Sequence, residues 1–215
     1  MSNVKFVIFD MDGLMFDTEK KYADDMEKYL TQNGVKCDVD VLWEIVGTTA
    51  PLDMDRFNLS DLPHEEVDKM CHDAYLWSNE DMLTNGVPVK KGLFNLLDAI
   101  EAKGLGKCVA TSTPIEVSGE LLKKAGVYNR MNFVITGKEV AHGKPAPDIF
   151  LEACRRAGVK PEEALVLEDS INGGRAAKSG NIPYVIVPDV IYPSKDVEEG
   201  AFRICKDLDE VIDLL

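Results

Sequence analysis

Four acidic side chains follow apolar segments of the sequence, in positions where they could act together. Asp10 and Asp12 come directly after one apolar run, and Glu168 and Asp169 come directly after another. Four carboxylates at one place would repel each other strongly unless a cation lay between them. Carboxylate oxygens without His or Cys favour Mg²⁺, which commonly completes its coordination with water and substrate phosphate. The pattern therefore predicts a magnesium site that serves a phosphorylated molecule.

A lysine and three hydroxyl side chains complete the candidate chemistry. Thr111, Ser112 and Thr113 follow a third apolar run, and Lys144 lies just before a proline-rich helix start. A metal and an ammonium beside a carboxylate cancel the repulsion that would stop an aspartate from attacking phosphorus. A second carboxyl two residues away can protonate the leaving oxygen and later activate water. Hydroxyl and N–H groups would hold the phosphoryl oxygens, and one hydroxyl is expected to cap the helix after Pro114.

The elements that position these residues can be predicted from periodicity. Runs rich in β-branched and aromatic residues predict buried strands at 4–9, 107–110, 133–135, 164–167 and 184–187. Helix-length amphipathic segments that each end near a glycine lie between them, at 92–103, 115–125, 146–157 and 171–179. This alternation predicts an α/β fold, a doubly wound parallel (Rossmann-like) sheet with helices on both faces. Ligands bind outside the carboxyl ends of such strands, so the chemical residues should meet at that edge.

The interval 16–86 departs from the alternation, because it shows helical patterns and no convincing strand. We expect an inserted α-helical cap domain at 16–86 and a Rossmann-like catalytic core domain formed by 1–15 and 87–215. The charge supports a separate unit. Residues 17–86 hold 17 Asp and Glu against 6 Lys and Arg, a net charge of −11 that leaves −3 for the rest of the chain.

Composition excludes several classes of protein. The 215 residues are 45% hydrophobic, enough to bury a sizeable core, and the net charge of −14 opposes binding to nucleic acid or an anionic membrane. The apolar run at the start of the chain is interrupted by Asp10 before it could serve as a signal sequence or membrane span. Five scattered cysteines without a CxxC motif indicate reduced thiols. We therefore expect a cytoplasmic monomer with no nucleic-acid or membrane partner.

Four segments resemble the motifs of the haloacid dehalogenase-like hydrolase superfamily, in matching order and spacing. They are Asp10–Leu14 with Asp17–Glu19, Val109–Ser112, Gly143–Phe150 and Leu167–Gly173. A DxD pair alone would be a weak signal, but four motifs that each follow a strand are a specific one. The resemblance spans nearly the whole chain and is closest to the β-phosphoglucomutase-like phosphatase branch. Members of that branch carry an inserted helical cap, which the interval 16–86 resembles.

The resemblance implies a role for each matching residue. Asp10 would be the nucleophile, and Asp12 the general acid and base whose backbone carbonyl also meets the metal. Thr111 and Lys144 would act on the phosphoryl group. The remaining implied contacts are Asp169 and Glu168 on Mg²⁺ beside Asp10 and Asp12, and Ser112 and the cap residue Gly47 on the substrate.

The implied reaction is Mg²⁺-dependent hydrolysis of a small phosphomonoester, a sugar phosphate or nucleoside monophosphate, through an aspartyl phosphate. A carboxyl at position 12 opposes dehalogenation, since dehalogenases of the superfamily lack it. A sugar phosphomutase like β-phosphoglucomutase is the alternative. The mutases clamp a second phosphate with a Lys and an Arg in the loop that here contains Gly47 and has neither, although Arg56 lies nearby. A non-catalytic phosphoacceptor or binding module is a third reading, which Asp12 and the cap oppose.

Overall fold

The computed structural model describes residues 3–35 and 63–215, with the exception of the His64 side chain. The chain divides into two compact units. One consists of residues 1–17 and 88–215, and the other of residues 18–87. The first unit contains the sheet and all motif residues except Thr18 and Glu19, and the second unit contains two long helices.

The larger unit is built on a six-stranded sheet in which every pair of neighbours is parallel. The strands are β1 (Phe6–Phe9), β2 (Gly106–Thr111), β3 (Phe133–Thr136), β4 (Ala164–Glu168), β5 (Tyr184–Ile186) and β6 (Arg203–Ile204). Their spatial order is β3-β2-β1-β4-β5-β6. Strands β2 and β3 lie on one side of β1, and β4, β5 and β6 lie on the other. The strand order therefore reverses between β1 and β4, and a ligand crevice is expected at the carboxyl ends of these two strands. This confirms the predicted Rossmann-like fold, to which β6 is an addition.

The register of the sheet aligns the ends of the three central strands. Phe9, the last residue of β1, pairs with Val109 in β2 and with Leu167 in β4. The next residue, Asp10, extends the ladder by donating its N–H to the Leu167 carbonyl at 2.9 Å. Because side chains at matched positions of neighbouring strands lie side by side, Asp10 is placed next to Glu168.

Helices cover the sheet and form the second unit. They are α1 (Thr18–Gln32), α2 (His64–Asn85), α3 (Leu93–Ala102), α4 (Ile115–Lys124), α5 (Asp148–Ala157), α6 (Ile171–Ser179), α7 (Lys195–Glu198) and α8 (Leu208–Val211). All four residues of β1 are buried, as expected of a central strand covered on both faces. Ile8 packs with Phe150 of α5 and Ala176 of α6 in one large apolar cluster. None of the described helices combines the length and apolarity that a membrane span requires.

The second unit is held together by polar contacts as well as by apolar packing. Helices α1 and α2 pack against each other. The buried Ser78 hydroxyl donates to the Asp25 carboxylate at 2.6 Å, and the same carboxylate pairs with Lys21. Tyr22 donates to the amide oxygen of Asn79 at 2.6 Å. Ser78, Asp25 and Asn79 thereby have polar partners across the two helices, which favours one register of α1 against α2.

Candidate active site

The centre of the candidate site is the Lys144 ammonium, which joins two strands. Its Nζ donates to Oδ1 of Asp10 and, at 2.6 Å, to Oε1 of Glu168. The three side chains are between 0% and 9% exposed, so the ion pairs are shielded from water. The ammonium also lies 4.9 Å from the ring centre of Phe150, within range of a cation–π interaction. Lys144 therefore sits as a fixed positive charge beside the carboxylate at the end of β1.

Glu168 is fixed by the backbone that follows it. Its Oε2 accepts hydrogen bonds from the N–H groups of Asp169 and Ser170 at 3.0 and 2.9 Å, and from the Ser170 hydroxyl at 2.9 Å. The carboxylate lies directly against Gly173 in the first turn of α6, where a Cβ atom would stand 1.7 Å from Oε1. A glycine is therefore required at position 173. These contacts use one oxygen of Glu168 for its own loop and the other for Lys144.

Asp12 is held from the opposite side of the site, by β2 and the loop after it. Its Oδ2 accepts from the hydroxyls of Thr113 at 2.7 Å and Thr111 at 3.2 Å. The Thr111 hydroxyl in turn accepts the N–H of Thr113 at 3.0 Å. The predicted capping role is not seen, because Pro114 is the N-cap of α4 and no side chain caps it. The other oxygen of Asp12, Oδ1, is buried and has no hydrogen-bond partner.

Burial and charge at the site act on the pKa values of the central pair. Burial raises the pKa of Asp10 well above its ordinary value, and the charges of Glu168 and Asp12 add to the rise while Lys144 opposes it. Burial disfavours the charged form of Lys144, but Asp10 and Glu168 outweigh it and raise the pKa of the ammonium. Lys144 thus stays charged, and it is a single ammonium in contact with two carboxyl groups.

The donor set fits a hard divalent cation. Asp10, Glu168 and Asp169 are all buried, and one carboxylate oxygen from each lies within 4.8 Å of the others. Oxygen ligands without nitrogen or sulfur suit Mg²⁺. The backbone leaves room for this arrangement at Gly13, which has a φ of +75° and where a Cβ atom would stand 2.2 Å from Oδ2 of Asp169. Three clustered carboxylates beside a single ammonium would be stabilised by such an ion.

Two charged residues near this edge were missed by the sequence analysis. Asp189 follows β5, and its Oδ1 accepts from the Lys90 ammonium while its Oδ2 is buried without a hydrogen-bond partner. Burial raises the pKa of Asp189, and Lys90 opposes the rise. That Oδ2 lies 3.3 Å from where a Cβ atom of Gly13 would stand. The rule that selected residues after the other strands applies equally to β5 and would have found Asp189, whereas nothing in the sequence marks Lys90 as its partner.

The structure brings together six of the eight residues singled out as site residues. They are Asp10, Asp12, Thr111, Lys144, Glu168 and Asp169. Ser112 lies next to Thr111 with an exposed side chain. Gly47 lies outside the described residues, as does Arg56. Asp148, which follows Lys144 in the same motif, contacts the exposed His142, with Oδ2 3.0 Å from Nδ1.

Comparison with known proteins gives a consistent picture. Residues 7–187 match the family model described as haloacid dehalogenase-like hydrolase. The chain is 34% identical over 198 residues to the probable pseudouridine-5'-phosphatase of Drosophila melanogaster, covering 88% of this chain and 84% of the relative. It is 29% identical to the phosphorylated carbohydrates phosphatase of Thermotoga maritima, with 97% of each chain covered. The crystal structure of a putative beta-phosphoglucomutase from T. maritima superposes with a TM-score of 0.78 at 27% identity, covering 98% of each chain.

Proposed function

The chain belongs to the haloacid dehalogenase-like hydrolase family, and from this premise we propose that it is a phosphatase that hydrolyses a small phosphomonoester through an aspartyl phosphate on Asp10. The family match confirms the resemblance that the four motifs indicate. The observation that carries the proposed chemistry is the buried contact of Lys144 with Asp10 and Glu168, beside a second carboxyl, Asp12, that has one unpartnered oxygen.

The first step transfers the phosphoryl group to the protein. A carboxylate oxygen of Asp10 forms a bond to phosphorus, and the bond between phosphorus and the leaving oxygen breaks. Asp12, protonated for this step, gives its proton to the leaving oxygen, and Oδ1 is suited to this because no hydrogen bond occupies it. The Lys144 ammonium reduces the repulsion between the attacking carboxylate and the phosphoryl oxygens, and the Thr111 hydroxyl donates to one of those oxygens.

The second step returns Asp10 to its starting state. Asp12, now a carboxylate, takes a proton from a water molecule whose oxygen forms the new bond to phosphorus. The bond between phosphorus and the Asp10 oxygen breaks, and inorganic phosphate leaves. Asp12 regains the proton that it gave away, so the cycle balances.

The acidic cluster supports a magnesium cofactor. Asp10 and Asp169, with the backbone carbonyl of Asp12, would hold Mg²⁺, and Glu168 belongs to the same group of buried oxygens. When bound, the ion would supply positive charge that offsets the negative charge of the carboxylates and of the substrate phosphate. In addition to the ion, Lys144 and the Thr111 hydroxyl would orient the phosphoryl group.

The helical insert supports a role in substrate selection. We assign that role to the predicted cap, 16–86, because it interrupts the catalytic motifs between the first strand and the rest of the sheet. Its net charge is strongly negative, so it should disfavour substrates that carry a second phosphate. Sugar phosphates and nucleoside monophosphates are the substrate class we propose, because the relatives include a probable pseudouridine-5'-phosphatase and a phosphorylated carbohydrates phosphatase.

A panel of phosphomonoesters tests the proposal. With Mg²⁺ present, we expect release of inorganic phosphate from at least one sugar phosphate or nucleoside monophosphate, and slower release from the matching bisphosphate. Removal of the metal with EDTA should lower the rate by at least about a hundredfold. Without the ion, the negative charge of the proposed ligands Asp10 and Asp169 would no longer be offset and would repel the substrate phosphate. Restoring Mg²⁺ should restore activity.

The same panel separates the alternatives. Isomerisation of a hexose phosphate that requires a catalytic amount of sugar bisphosphate, with little phosphate released, would contradict the phosphatase and indicate a phosphomutase. Stable phosphorylation of the protein without turnover of any substrate would indicate a phosphoacceptor module.

A further inference from the structure

Thr113 makes a contact that no step of the proposed reaction uses. Its hydroxyl donates to Oδ2 of Asp12 at 2.7 Å, which is shorter than the 3.2 Å contact from Thr111 to the same oxygen. Its N–H meanwhile donates to the Thr111 hydroxyl oxygen at 3.0 Å. One residue therefore touches both the proton-transferring carboxyl and the hydroxyl assigned to the phosphoryl group.

A hydroxyl has a single proton, so it can donate only one hydrogen bond at full strength. In the structure, the Thr111 hydroxyl donates to Oδ2 of Asp12. When that proton instead goes to a phosphoryl oxygen, Asp12 loses this donor. The N–H of Thr113 occupies one acceptor site of the Thr111 oxygen, which leaves the proton free to turn toward the phosphoryl group. Thr113 is then the remaining hydroxyl donor to Asp12.

We propose that Thr113 is a positioning residue that holds Asp12 through Oδ2 while phosphate occupies Thr111, so that the unpartnered Oδ1 faces the leaving oxygen and the attacking water. This inference rests on the proposed function and adds to it a residue outside the matched motif residues. The two oxygens of Asp12 have separate tasks. Oδ2 is fixed by Thr113, and Oδ1 gives and takes the proton.

The two steps of the reaction differ in how much they need Thr113. With p-nitrophenyl phosphate the leaving nitrophenolate departs without a proton, so the first step does not require Asp12 as an acid. The second step always requires Asp12 as a base, and at that stage the phosphoryl group on Asp10 occupies Thr111. Loss of the Thr113 hydroxyl should therefore slow the second step while sparing the first.

Rapid-mixing kinetics of Thr113→Val with p-nitrophenyl phosphate test the proposal. We expect the rate constant of the initial nitrophenol burst to stay within about twofold of the wild type, while steady-state kcat falls about tenfold. KM should not rise, because the slow step follows phosphoryl transfer. Thr113→Ser keeps the hydroxyl and should restore kcat to within about twofold of the wild type.

Ser118→Ala is a matched control, because the Ser118 hydroxyl of α4 donates only to the Pro114 carbonyl. Thr113→Ala replaces Thr113→Val if the valine variant does not fold, as judged by circular dichroism. An unchanged kcat in the hydroxyl-free variant, or an equal fall in burst rate and kcat, would overturn the proposal. If the wild type itself released no nitrophenol and no phosphate from the panel, the proposed function would fail, and this inference with it.

Discussion

Replacement of Asp10 by asparagine is expected to lower phosphatase turnover by about four orders of magnitude or more. The amide is a poor nucleophile and cannot form the acyl phosphate, so only the weak catalysis from the surrounding donors would remain. The variant should still fold, because Lys144 keeps the Glu168 carboxylate as a partner at 2.6 Å. Turnover should be measured on the best substrate of the panel, and folding by thermal denaturation.

Asp98→Asn is a matched control for that change. The Asp98 side chain is 72% exposed and contacts Arg130, and neither residue belongs to a motif. Its turnover should equal that of the wild type. Full turnover by the Asp10 variant would show that another group attacks phosphorus.

Replacement of Lys144 by methionine is expected to damage both activity and stability. The side chains of Asp10 and Glu168 are 9% and 0% exposed, and in the metal-free protein both would lie buried with no cationic partner once the ammonium is lost. Breaking a buried ion pair from one side costs about 3–5 kcal/mol of unfolding free energy. Turnover should fall by at least about a thousandfold, since a positive charge at the transferring phosphoryl group is lost. Urea denaturation and steady-state kinetics measure the two effects.

The surface residue Lys138 supplies the comparison. Its side chain is 69% exposed and lies 3.8 Å from Glu116, so Lys138→Met should change neither quantity appreciably. A Lys144→Met variant as stable as the wild type would mean that the two buried carboxylates do not depend on the ammonium.

The sheet could be predicted closely because its strands are buried runs. Residues 164–167 have no polar member and match β4, which extends to Glu168. In contrast, β6 has two residues, of which Arg203 is exposed, so it has neither an apolar run nor an alternating pattern. Its pairing depends on the neighbouring strand β5, through contacts that periodicity cannot show.

At the site, the residue types and their positions after the strands predicted which charged residues meet. They did not predict which hydrogen bonds those residues make. The resemblance implies Glu168 as a metal contact, which stays a prediction; its hydrogen bonds go to Lys144 and to the loop at Ser170. One hydroxyl among Thr111, Ser112 and Thr113 was expected to cap the helix after Pro114, but no side chain caps it and Thr113 contacts Asp12. The contacts of Glu168 with Lys144 and of Thr113 with Asp12 could not be predicted, because the fold brings together residues that are distant in sequence.

The most direct test of the account is to find the phosphoryl group on Asp10. In Asp12→Asn, p-nitrophenyl phosphate can still phosphorylate the protein, but hydrolysis lacks its base, so the phosphoprotein should accumulate. After acid quenching and trypsin digestion, mass spectrometry should find one added phosphoryl group on peptide 6–20, localised by fragmentation to Asp10. A phosphoryl group on any other residue, or an unmodified peptide while turnover continues, would contradict the account.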